Sequence, residues 1–295
     1  MSKVDLHIHS TASDGRLSPS EIVRKSAELG LTVVAIADHD SVNGMAEALE
    51  AAKAYPGLKV IPAVEINTDV PHGEAHVLGY FIDFTDRELN ETLERLRDSR
   101  RLRAQKIIAK LAKLGIHINW GRVQEIAGAG TIGRPHLAQA ILEKGYIAST
   151  REAFTRYIGK DGPAYVEREK ITSVGAVELI LRASGLPVLA HPFTINDPET
   201  MIIELKRAGL VGIEAYYKDY NGDQVSELVD LAERYNLIIT GGTDYHGLDD
   251  TDEVMIGGAD VPLESAEQLI ALATQRKLKL ASLQYQERLW PLNLP

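Results

Sequence analysis

Residues that can bind a metal ion recur at the ends of the predicted strands. His7 and His9 form a His-x-His pair at the end of the first apolar run. A two-residue spacing on a strand puts both side chains on one face, so both imidazoles can reach one ion. The ends of later strands carry further potential ligands, namely Asp38-His39-Asp40, Glu65, His191, Asp244 and His246. Because the carboxyl ends of strands converge in a barrel or an open α/β sheet, this recurrence predicts a metal site.

The donor atoms in this set indicate which metals could bind. Histidine, aspartate and glutamate without sulfur suit Mn, Fe or Zn better than Ca or Cu(I). There are more potential ligands than one ion needs, which indicates a multinuclear site. A single histidine would more simply be a buried, hydrogen-bonded residue, but agreement at five strand ends argues against that explanation. The chain has no cysteine, which excludes a disulfide scaffold, a thiolate zinc site, an iron–sulfur cluster and a cysteine nucleophile.

Seven short apolar runs rich in β-branched residues must position these side chains. They lie at residues 4–9, 32–37, 59–65, 75–81, 187–191, 211–215 and 237–242. Their near-continuous apolarity is typical of strands buried on both faces of a parallel sheet. Helical patterns alternate with them at residues 45–55, 173–184, 197–208, 222–235 and 264–274. The alternation predicts an α/β fold, with a barrel as the first choice and an open doubly wound sheet as the alternative.

The first helix has a readable start. Ser18 is the predicted N-cap, Pro19 occupies the first helical position and Glu21 completes a capping box. Gly30 is expected to end this helix before the second strand. The length of 295 residues suits one barrel-sized domain with an elaboration.

The alternation of strands and helices stops between about residues 86 and 170. A long helical pattern covers residues 88–114, a second helix is predicted to begin at Arg134-Pro135, and a third covers residues 150–158. We therefore predict a barrel built from residues 1–98 and 168–295, with a mainly helical subdomain inserted at residues 99–167.

The inserted segment differs from the rest of the chain in charge. Residues 95–160 contain 14 Lys and Arg against four Asp and Glu, whereas the whole chain has a formal net charge of −10. A solvated helix face would explain most of the arginines at its start, namely Arg95, Arg97, Arg100, Arg101 and Arg103. The asymmetry of the whole segment instead favours an anionic substrate on that side. The acidic balance of the chain argues against a protein that coats nucleic acid.

The composition limits the class of protein further. Hydrophobic residues at 44% and charged residues at 25% are ordinary globular values, which exclude bulk disorder. No uninterrupted apolar stretch approaches the about 18 residues of a membrane span, and the N-terminus lacks a signal-peptide pattern. These features predict a cytoplasmic protein with no membrane partner.

Taken together, the motifs resemble those of the PHP family, the polymerase and histidinol phosphatase metal-dependent phosphoesterases. The resemblance rests on His7-x-His9, Asp38-His39-Asp40, Glu65, His76, His191-Pro192 and Asp244-x-His246. It covers nearly the whole chain. It implies a distorted seven-stranded β/α barrel with two or three divalent ions (Mn, Fe or Zn) at the carboxyl ends of the strands.

The resemblance also implies how the ligands divide among the ions. One ion would be held by His7, His9, Glu65 and Asp244. Glu65 would bridge to a second ion held with His76 and His191, and a third would be held by Asp14, His39 and His246. The implied catalytic set is His7, His9, Glu65, His191 and Asp244. Asp38 and Asp40 are expected behind the ligands, where carboxylates orient and polarise imidazoles.

Within the family, the inserted segment and the run Gly133-Arg134-Pro135-His136 resemble stand-alone nucleoside 3′,5′-bisphosphate phosphatases, some of them 5′→3′ exonucleases on short RNA. The matching Arg134 and His136 would contact a substrate phosphate, and a guanidinium at a helix start suits that role. A helix-end salt bridge is the simpler alternative for Arg134. The implied reaction is hydrolysis of phosphate esters of small nucleotides or short single-stranded oligonucleotides by a metal-bridged hydroxide. No stable nucleic-acid complex is expected.

Three rival functions stay open. A histidinol-phosphate phosphatase shares the metal chemistry, although its small substrate does not need a basic insertion. An amidohydrolase-type barrel that cleaves C–N bonds also opens with His-x-His, but Asp38-His39-Asp40 and Glu65 fit the phosphoesterase pattern better. A non-catalytic metal-binding module or polymerase-associated domain belongs to another class, and the intact ligand set argues against it.

Overall fold

The computed structural model describes residues 3–69, 75–128, 130–167, 170–247 and 253–276. Its strands are β1 Val4–Ile8, β2 Val33–Ile36, β3 Lys59–Asp69, β4 Ala75–Tyr80, β5 Ile171–Thr172, β6 Leu186–Leu189, β7 Gly212–Tyr217 and β8 Ile238–Gly242. Its α-helices are α1 Pro19–Glu28, α2 Met45–Ala52, α3 Arg87–Lys113, α4 Trp120–Ala127, α5 Arg134–Glu143, α6 Thr150–Ala153, α7 Ser173–Arg182, α8 Pro198–Ala208, α9 Gly222–Arg234 and α10 Leu263–Gln275. A π-helical turn, Phe154–Ile158, follows α6.

Seven of the strands form a nearly closed barrel, which confirms the first choice made from the sequence. They pair in the order β1-β2-β3-β4-β6-β7-β8, and the short β5 pairs with β3. At the end of β1, Ile8 forms a parallel bridge with Tyr245, and the His9 N–H donates to the Tyr245 carbonyl over 2.9 Å. The segment after β8 therefore closes the barrel against β1.

The direction of β4 differs from the parallel arrangement that the apolar runs suggested. β4 pairs antiparallel with both β3 and β6. Five residues separate β3 from β4, whereas a parallel neighbour needs a crossover of about a dozen residues or more. Five of the six β4 residues are buried, so burial on both faces revealed the strand but not its direction.

The strands are apolar along their length because both of their faces are covered. Val34 and Ile36 of β2 belong to one buried cluster with residues of α1, α2, α3, α7, α8 and α9. Val33 and Ala35 belong to a second cluster, which includes residues of α10. Neighbouring residues of a strand point to opposite faces, so alternate positions of β2 serve different clusters.

The start of α1 is the one that the sequence predicts. The Glu21 N–H donates to the Ser18 hydroxyl over 3.3 Å, and the Ser18 N–H donates to the Glu21 carboxylate over 2.8 Å. Pro19 is the first helical residue. The ends of the other barrel helices differ from the predicted ends by three residues or fewer.

The inserted segment has a hydrophobic cluster of its own. Its buried members fall between Ala104 and Ala164. α3 joins this cluster to the barrel, since Leu89 and Leu93 pack in the barrel core while Ile107 packs in the segment. The boundaries at 98/99 and 167/168 stay a prediction, and residues 168–169 lie outside the described ranges.

Two helical details of the segment differ from the sequence prediction. α4 was not predicted, because the glycines that follow it suggested only turns. Its start is nevertheless capped, since the Arg122 N–H donates to the Asn119 side chain over 3.2 Å. The predicted helix at 150–158 is divided into α6 and the π-helical turn.

Within the described ranges, no helix combines the length and apolar composition that crossing a bilayer requires.

Candidate metal and phosphate site

Most of the histidines and carboxylates identified from the sequence lie at or just after the carboxyl ends of β1, β2, β6 and β8. Parallel strands of a barrel converge there, so their following loops share one surface. In chain order these residues are His7, His9, Asp14, Asp38, His39, Asp40, His191, Asp244 and His246.

Glu65 and His76 reach the same place from inside strands. Glu65 lies within β3, which continues to Asp69 instead of ending at Glu65, and it forms a bridge with His39. His76 is the second residue of β4 and is paired with Asn67. Because β4 runs antiparallel, its amino end lies at the edge where the parallel strands have their carboxyl ends.

The first potential ligand group consists of His7, His9, Glu65 and Asp244. Nε2 of His9 lies 3.1 Å from Nε2 of His7, 3.3 Å from Oε2 of Glu65 and 3.0 Å from Oδ1 of Asp244. Nε2 of His7 lies 3.4 Å from the same Oε2 and 3.6 Å from the same Oδ1. Ligands bound about 2.1 Å from one ion stand roughly 3.0–3.4 Å apart in octahedral or tetrahedral geometry. The four atoms therefore have nearly the spacing of donors that share one ion.

Two further groups adjoin the first. One consists of His9, Asp14, His39 and His246, and the other of His39, Glu65 and His76. The division of ligands among three ions that the family resemblance implies differs from these groups in two respects. His9 joins the set of Asp14, His39 and His246, and His39 takes the place of His191 beside Glu65 and His76. Nε2 of His191 still lies 3.1 Å from Oε1 of Glu65, at the edge of that group.

The buried carboxylates and imidazoles shift one another's pKa values. Burial would raise the pKa of Glu65, but the imidazoles around it, His39 foremost, hold it well below its usual range. Burial would also raise the pKa of Asp14, but His39 and His246 hold it well below its usual range. Burial opposes protonation of His246, yet the carboxylate of Asp14 raises its pKa to about 9. Burial, reinforced by His246 and His39, lowers the pKa of His9 to about 3. These carboxylates are thus stabilised by nearby positive charge, which bound cations would also supply.

Several buried nitrogen and oxygen atoms of the ligand side chains make no hydrogen bond within the described part of the chain. They are Nδ1 of His9, Oδ1 of Asp14, Oε2 of Glu65 and Nε2 of His76. Oε2 of Glu65 still lies 2.8 Å from Nδ1 of His39, and Oδ1 of Asp14 lies 3.5 Å from Nε2 of His246. Buried polar atoms nearly always have a partner, so Nδ1 of His9 and Nε2 of His76 leave bonding capacity for a bound species. Imidazole nitrogens and carboxylate oxygens together suit Mn, Fe or Zn. The residues therefore fit divalent metal ions.

Glu214 is a buried carboxylate of the site that the sequence analysis did not identify. It is fully buried in β7, where its Oε1 lies 3.0 Å from Nδ1 of His7 and its Oε2 accepts the His191 N–H over 2.9 Å. A carboxylate on the outer nitrogen of a ligating imidazole orients the ring and increases its basicity. The available signal was an acidic residue within the apolar run GIEAYY, since a buried charge needs partners.

Asp244 is held from the side opposite the ligand group by two residues at the end of β7. The Tyr217 hydroxyl donates to Oδ2 of Asp244 over 2.9 Å. Nζ of Lys218 donates to the Asp244 carbonyl over 3.0 Å and lies 3.4 Å from Oδ2. Oδ1 is the oxygen that approaches His7 and His9. These contacts thus present one oxygen of Asp244 to the group.

Asp38 and Asp40 lie behind the potential ligands and support the backbone segments that carry those ligands. Asp38 accepts the Ser10 N–H over 2.8 Å and the Ser13 hydroxyl over 2.6 Å. Asp40 accepts the Asn67 N–H over 3.0 Å, and the Asn67 side chain lies 2.9 Å from Nδ1 of His39. Through these contacts Asp38 holds the loop after β1 and Asp40 holds β3 at Asn67, whereas Glu214 is the carboxylate that contacts an imidazole from outside.

A cavity of about 150 Å³ opens beside the ligand groups. Its barrel side is lined by Asp14, His39, Asn67 and His76. Its other side, from the inserted segment, includes three arginines, Arg100, Arg103 and Arg134. A phosphate ester in this cavity could contact both the metal-ligand side and a guanidinium.

Two of these arginines were expected on a solvated helix face. Arg100 and Arg103 instead turn toward the cavity and are largely buried. Nε of Arg100 donates to Oδ2 of Asp40 over 2.7 Å, and Nε of Arg103 donates to the Val166 carbonyl over 2.7 Å. Both guanidiniums are therefore held in place by the fold.

The run from Gly133 to His136 forms the start of α5. Arg134 is the first helical residue, and its guanidinium carbon lies 5.6 Å from the centroid of the Phe154 ring. His136 is buried and is not among the described residues that line the cavity. Its Nδ1 accepts the Gly133 N–H over 3.0 Å, which caps the helix. The structure thus brings Arg134 to the cavity and His136 just behind it.

Comparison with known proteins places the chain in a family. A sequence model described as PHP domain matches residues 5–121. A 5′-3′ exoribonuclease of Haemophilus influenzae is 34% identical over 248 residues, which cover 83% of this chain and 90% of the relative. A 3′,5′-nucleoside bisphosphate phosphatase of Chromobacterium violaceum is 30% identical over 251 residues, which cover 83% of this chain and 88% of the relative.

Solved structures have the same fold. A protein of Bifidobacterium adolescentis, assigned as a metal-dependent phosphoesterase, matches with a TM-score of 0.82 and 26% identity over 91% of this chain and 95% of its own. A Chromobacterium violaceum structure, described as an amidohydrolase with bound sulfate and no metal, matches with a TM-score of 0.83 and 28% identity over 91% of this chain and 96% of its own. The chain belongs to the PHP domain family, and it is a metal-dependent hydrolase of phosphoester bonds.

Proposed function

We propose that this protein removes phosphate from small nucleotides, with nucleoside 3′,5′-bisphosphates as main substrates and short single-stranded oligoribonucleotides as further ones. The observation that carries the proposal is one cavity in which potential metal ligands face three arginines. A substrate with two phosphates could place one at the ligand groups and the other on the arginine side. The activities for which the two curated relatives are named agree with this substrate class.

The proposed cofactors are two or three divalent ions of Mn, Fe or Zn. His7, His9, Glu65 and Asp244 would hold one ion, and the two adjoining groups would hold the others. When bound, the ions would lower the pKa of a water molecule for attack on phosphorus and stabilise charge on the phosphoryl oxygens. Glu214 would keep the His7 ring oriented, and Tyr217 would keep Asp244 oriented, for that role.

Arg134 and His136 are the proposed contacts for the second phosphate. The planar guanidinium of Arg134 can bind a phosphate through two parallel hydrogen bonds. Its place at the start of the ten-residue α5 adds the positive end of the helix dipole. Burial, foremost, lowers the pKa of His136, which favours the neutral ring. Because Nδ1 accepts the Gly133 N–H, the ring proton is on Nε2, which is then the atom that could donate to a phosphate.

The rival activities make less use of this cavity. Histidinol phosphate has a single phosphate, and its cationic remainder would lie against the arginines. A C–N hydrolase of the amidohydrolase type has no need of three guanidiniums beside the ligand groups. The similarity to a structure described as an amidohydrolase nevertheless makes ammonia release a necessary control.

The proposal is tested by measuring phosphate release with Mn²⁺ added. The substrates are a nucleoside 3′,5′-bisphosphate, the matching mononucleotides, short RNA and histidinol phosphate. We expect the highest kcat/KM for the bisphosphate, lower values for short RNA, and loss of activity with a chelator. Faster hydrolysis of histidinol phosphate than of any nucleotide, or ammonia release from an amide without phosphatase activity, would refute it.

A further inference from the structure

The cavity has a second wall that phosphate chemistry does not use. The apolar side chains on it all belong to the inserted segment: Ala104, Ile107, Ile132, Pro135, Leu137 and Phe154. They come from α3, from the loop before α5, from α5 itself and from the π-helical turn. The barrel side of the same cavity consists of polar and charged residues. A ligand that fills the cavity therefore meets polar side chains on the barrel side, and both guanidiniums and apolar side chains on the insertion side.

Phe154 is the aromatic residue of this wall, and the π-helical turn determines its position. Phe154 begins the turn, and its carbonyl accepts the Gly159 N–H over 3.0 Å. The neighbouring Ala153 and Ile158 are fully buried in the hydrophobic cluster of the segment, whereas Phe154 is only partly buried. π-Helical turns are rare and occur frequently at functional sites.

Arg134 connects the apolar wall with the phosphate side. Its guanidinium carbon lies 5.6 Å from the Phe154 centroid, within the range of a cation–π contact. Arg134, which lines the cavity and is the proposed phosphate contact, is thus adjacent to the aromatic ring. A ligand with an anionic group and a planar ring attached to one small scaffold matches that adjacency.

We propose that this wall is the nucleobase subsite, with the base of the substrate stacked on Phe154. The inference rests on the proposed function and names the residues that distinguish a nucleotide from other phosphate esters. Every base has a π-face, so stacking is tolerant of base identity. The six wall side chains carry no hydrogen-bonding group, so they favour a base over a bare sugar without selecting one base.

The test compares two ligands that differ only in the base. Adenosine 5′-monophosphate and ribose 5-phosphate serve as competitive inhibitors of hydrolysis of adenosine 3′,5′-bisphosphate by the Mn²⁺-loaded full-length protein. Phe154→Ala should raise the inhibition constant of the nucleotide about 5- to 150-fold, the effect of losing one base–aromatic stack. The inhibition constant of ribose 5-phosphate should not change, and KM for the bisphosphate should rise with little change in kcat.

Three further variants control for folding and for bulk. Phe154→Tyr keeps the π-face and should retain wild-type inhibition constants, whereas Phe154→Leu keeps apolar bulk and should behave like Phe154→Ala. Tyr157→Ala is the matched control, because Tyr157 lies in the same turn, has the Arg156 guanidinium 5.0 Å from its ring centroid, and is outside the cavity lining. It should leave both inhibition constants unchanged.

The outcomes separate this inference from the function on which it rests. If Phe154→Ala raises both inhibition constants equally, or neither, the base subsite is wrong while hydrolysis of the bisphosphate stands. If the wild type hydrolyses no nucleotide, the proposed function is wrong. The two ligands are then compared by calorimetric titration of the Mn²⁺-loaded protein, and a nucleotide-specific loss in Phe154→Ala would still support the subsite.

Discussion

The two sides of the cavity beside the ligand groups differ in the residues and the elements that form them. The barrel side presents buried carboxylates and imidazoles at strand ends, whereas the inserted segment presents arginines and apolar side chains on helices. Residues 95–160 contain 14 Lys and Arg against four Asp and Glu, although the whole chain has a net charge of −10. Metal ligands must be held within a fraction of an ångström, which strands paired on both sides achieve well. The comparison supports the proposal that the chemistry lies in the barrel and the choice of substrate in the insertion.

A few close contacts join the two sides. Nη1 of Arg97 donates to the Asp40 carbonyl over 2.8 Å, and Arg100 binds the Asp40 carboxylate, so α3 is connected to the loop that carries His39. Gly130 approaches the loop after β1 so closely that a Cβ there would lie 2.1 Å from the Ser13 carbonyl oxygen. The inserted segment is thus seated directly on the loops of the metal site.

The largest effect is expected from removing a ligand on the barrel side. His9→Ala should lower kcat/KM for every substrate by more than the about 10–100-fold that follows loss of a residue that only orients a ligand. Metal content, measured by elemental analysis, should fall with it. His117→Ala, which changes an exposed histidine of the inserted segment, should leave both quantities unchanged. Full activity of His9→Ala with unchanged metal content would contradict the metal site.

A change on the insertion side should be selective for substrate. Arg134→Ala should lower kcat/KM for a nucleoside 3′,5′-bisphosphate about 10- to 100-fold, because a hydrogen bond to a charged group contributes about 1.5–3 kcal/mol. Hydrolysis of p-nitrophenyl phosphate should change much less. Arg122→Ala removes an exposed arginine that is paired with Glu143 and serves as the control. Equal losses on both substrates would remove Arg134 from substrate selection and weaken the division between the two sides.

A smaller effect is expected where the barrel only orients a ligand. Tyr217→Phe removes the hydroxyl that donates to Asp244 and should weaken metal binding about tenfold, at the low end for such outer contacts. Calorimetric titration with Mn²⁺ measures this directly. Tyr220→Phe is the matched control, since its hydroxyl accepts the Phe193 N–H over 2.9 Å. The same affinity in both variants would mean that Asp244 does not depend on Tyr217.

The smallest effect tests the contact between the two sides. Gly130→Ala should lower the free energy of unfolding by about 1–3 kcal/mol, because the added methyl group meets backbone atoms. Thermal unfolding measures the change. Gly222→Ala, at a position with no atom within 4 Å of the added Cβ, should be near neutral. Equal stability of the two variants would show that the insertion is not seated against the loop after β1.

Local patterns were sufficient for much of the fold. The capping box at Ser18 and the apolar runs depend on neighbouring residues, and the corresponding elements lie close to their predicted bounds. The expected parallel direction of β4 was wrong, because the alternation and burial of side chains along a strand are the same in either direction. The length of the β3–β4 connection contained the correct information.

For the candidate site, too, the sequence predicted local features but not contacts between distant parts of the chain. The spacing of His7 and His9 places both rings on one side of β1. The role of Glu214 follows from contacts with His7 and His191, which are far away in the chain. Arg100 has the sequence environment of any surface arginine, and only the position of α3 over the barrel turns it toward Asp40.

The sequence by itself determined the chemical types of the ligands, the strands that carry most of them and the basic character of the insertion. The tertiary structure decided how the ligands group, how β4 brings His76 to the carboxyl ends of the other strands, and which arginines and apolar side chains line the cavity. The physical reason is the distance along the chain over which each kind of interaction acts. Periodicity and capping act within a few residues, whereas a distance between side chains on different strands depends on register, strand direction and the packing of helices from distant parts of the chain.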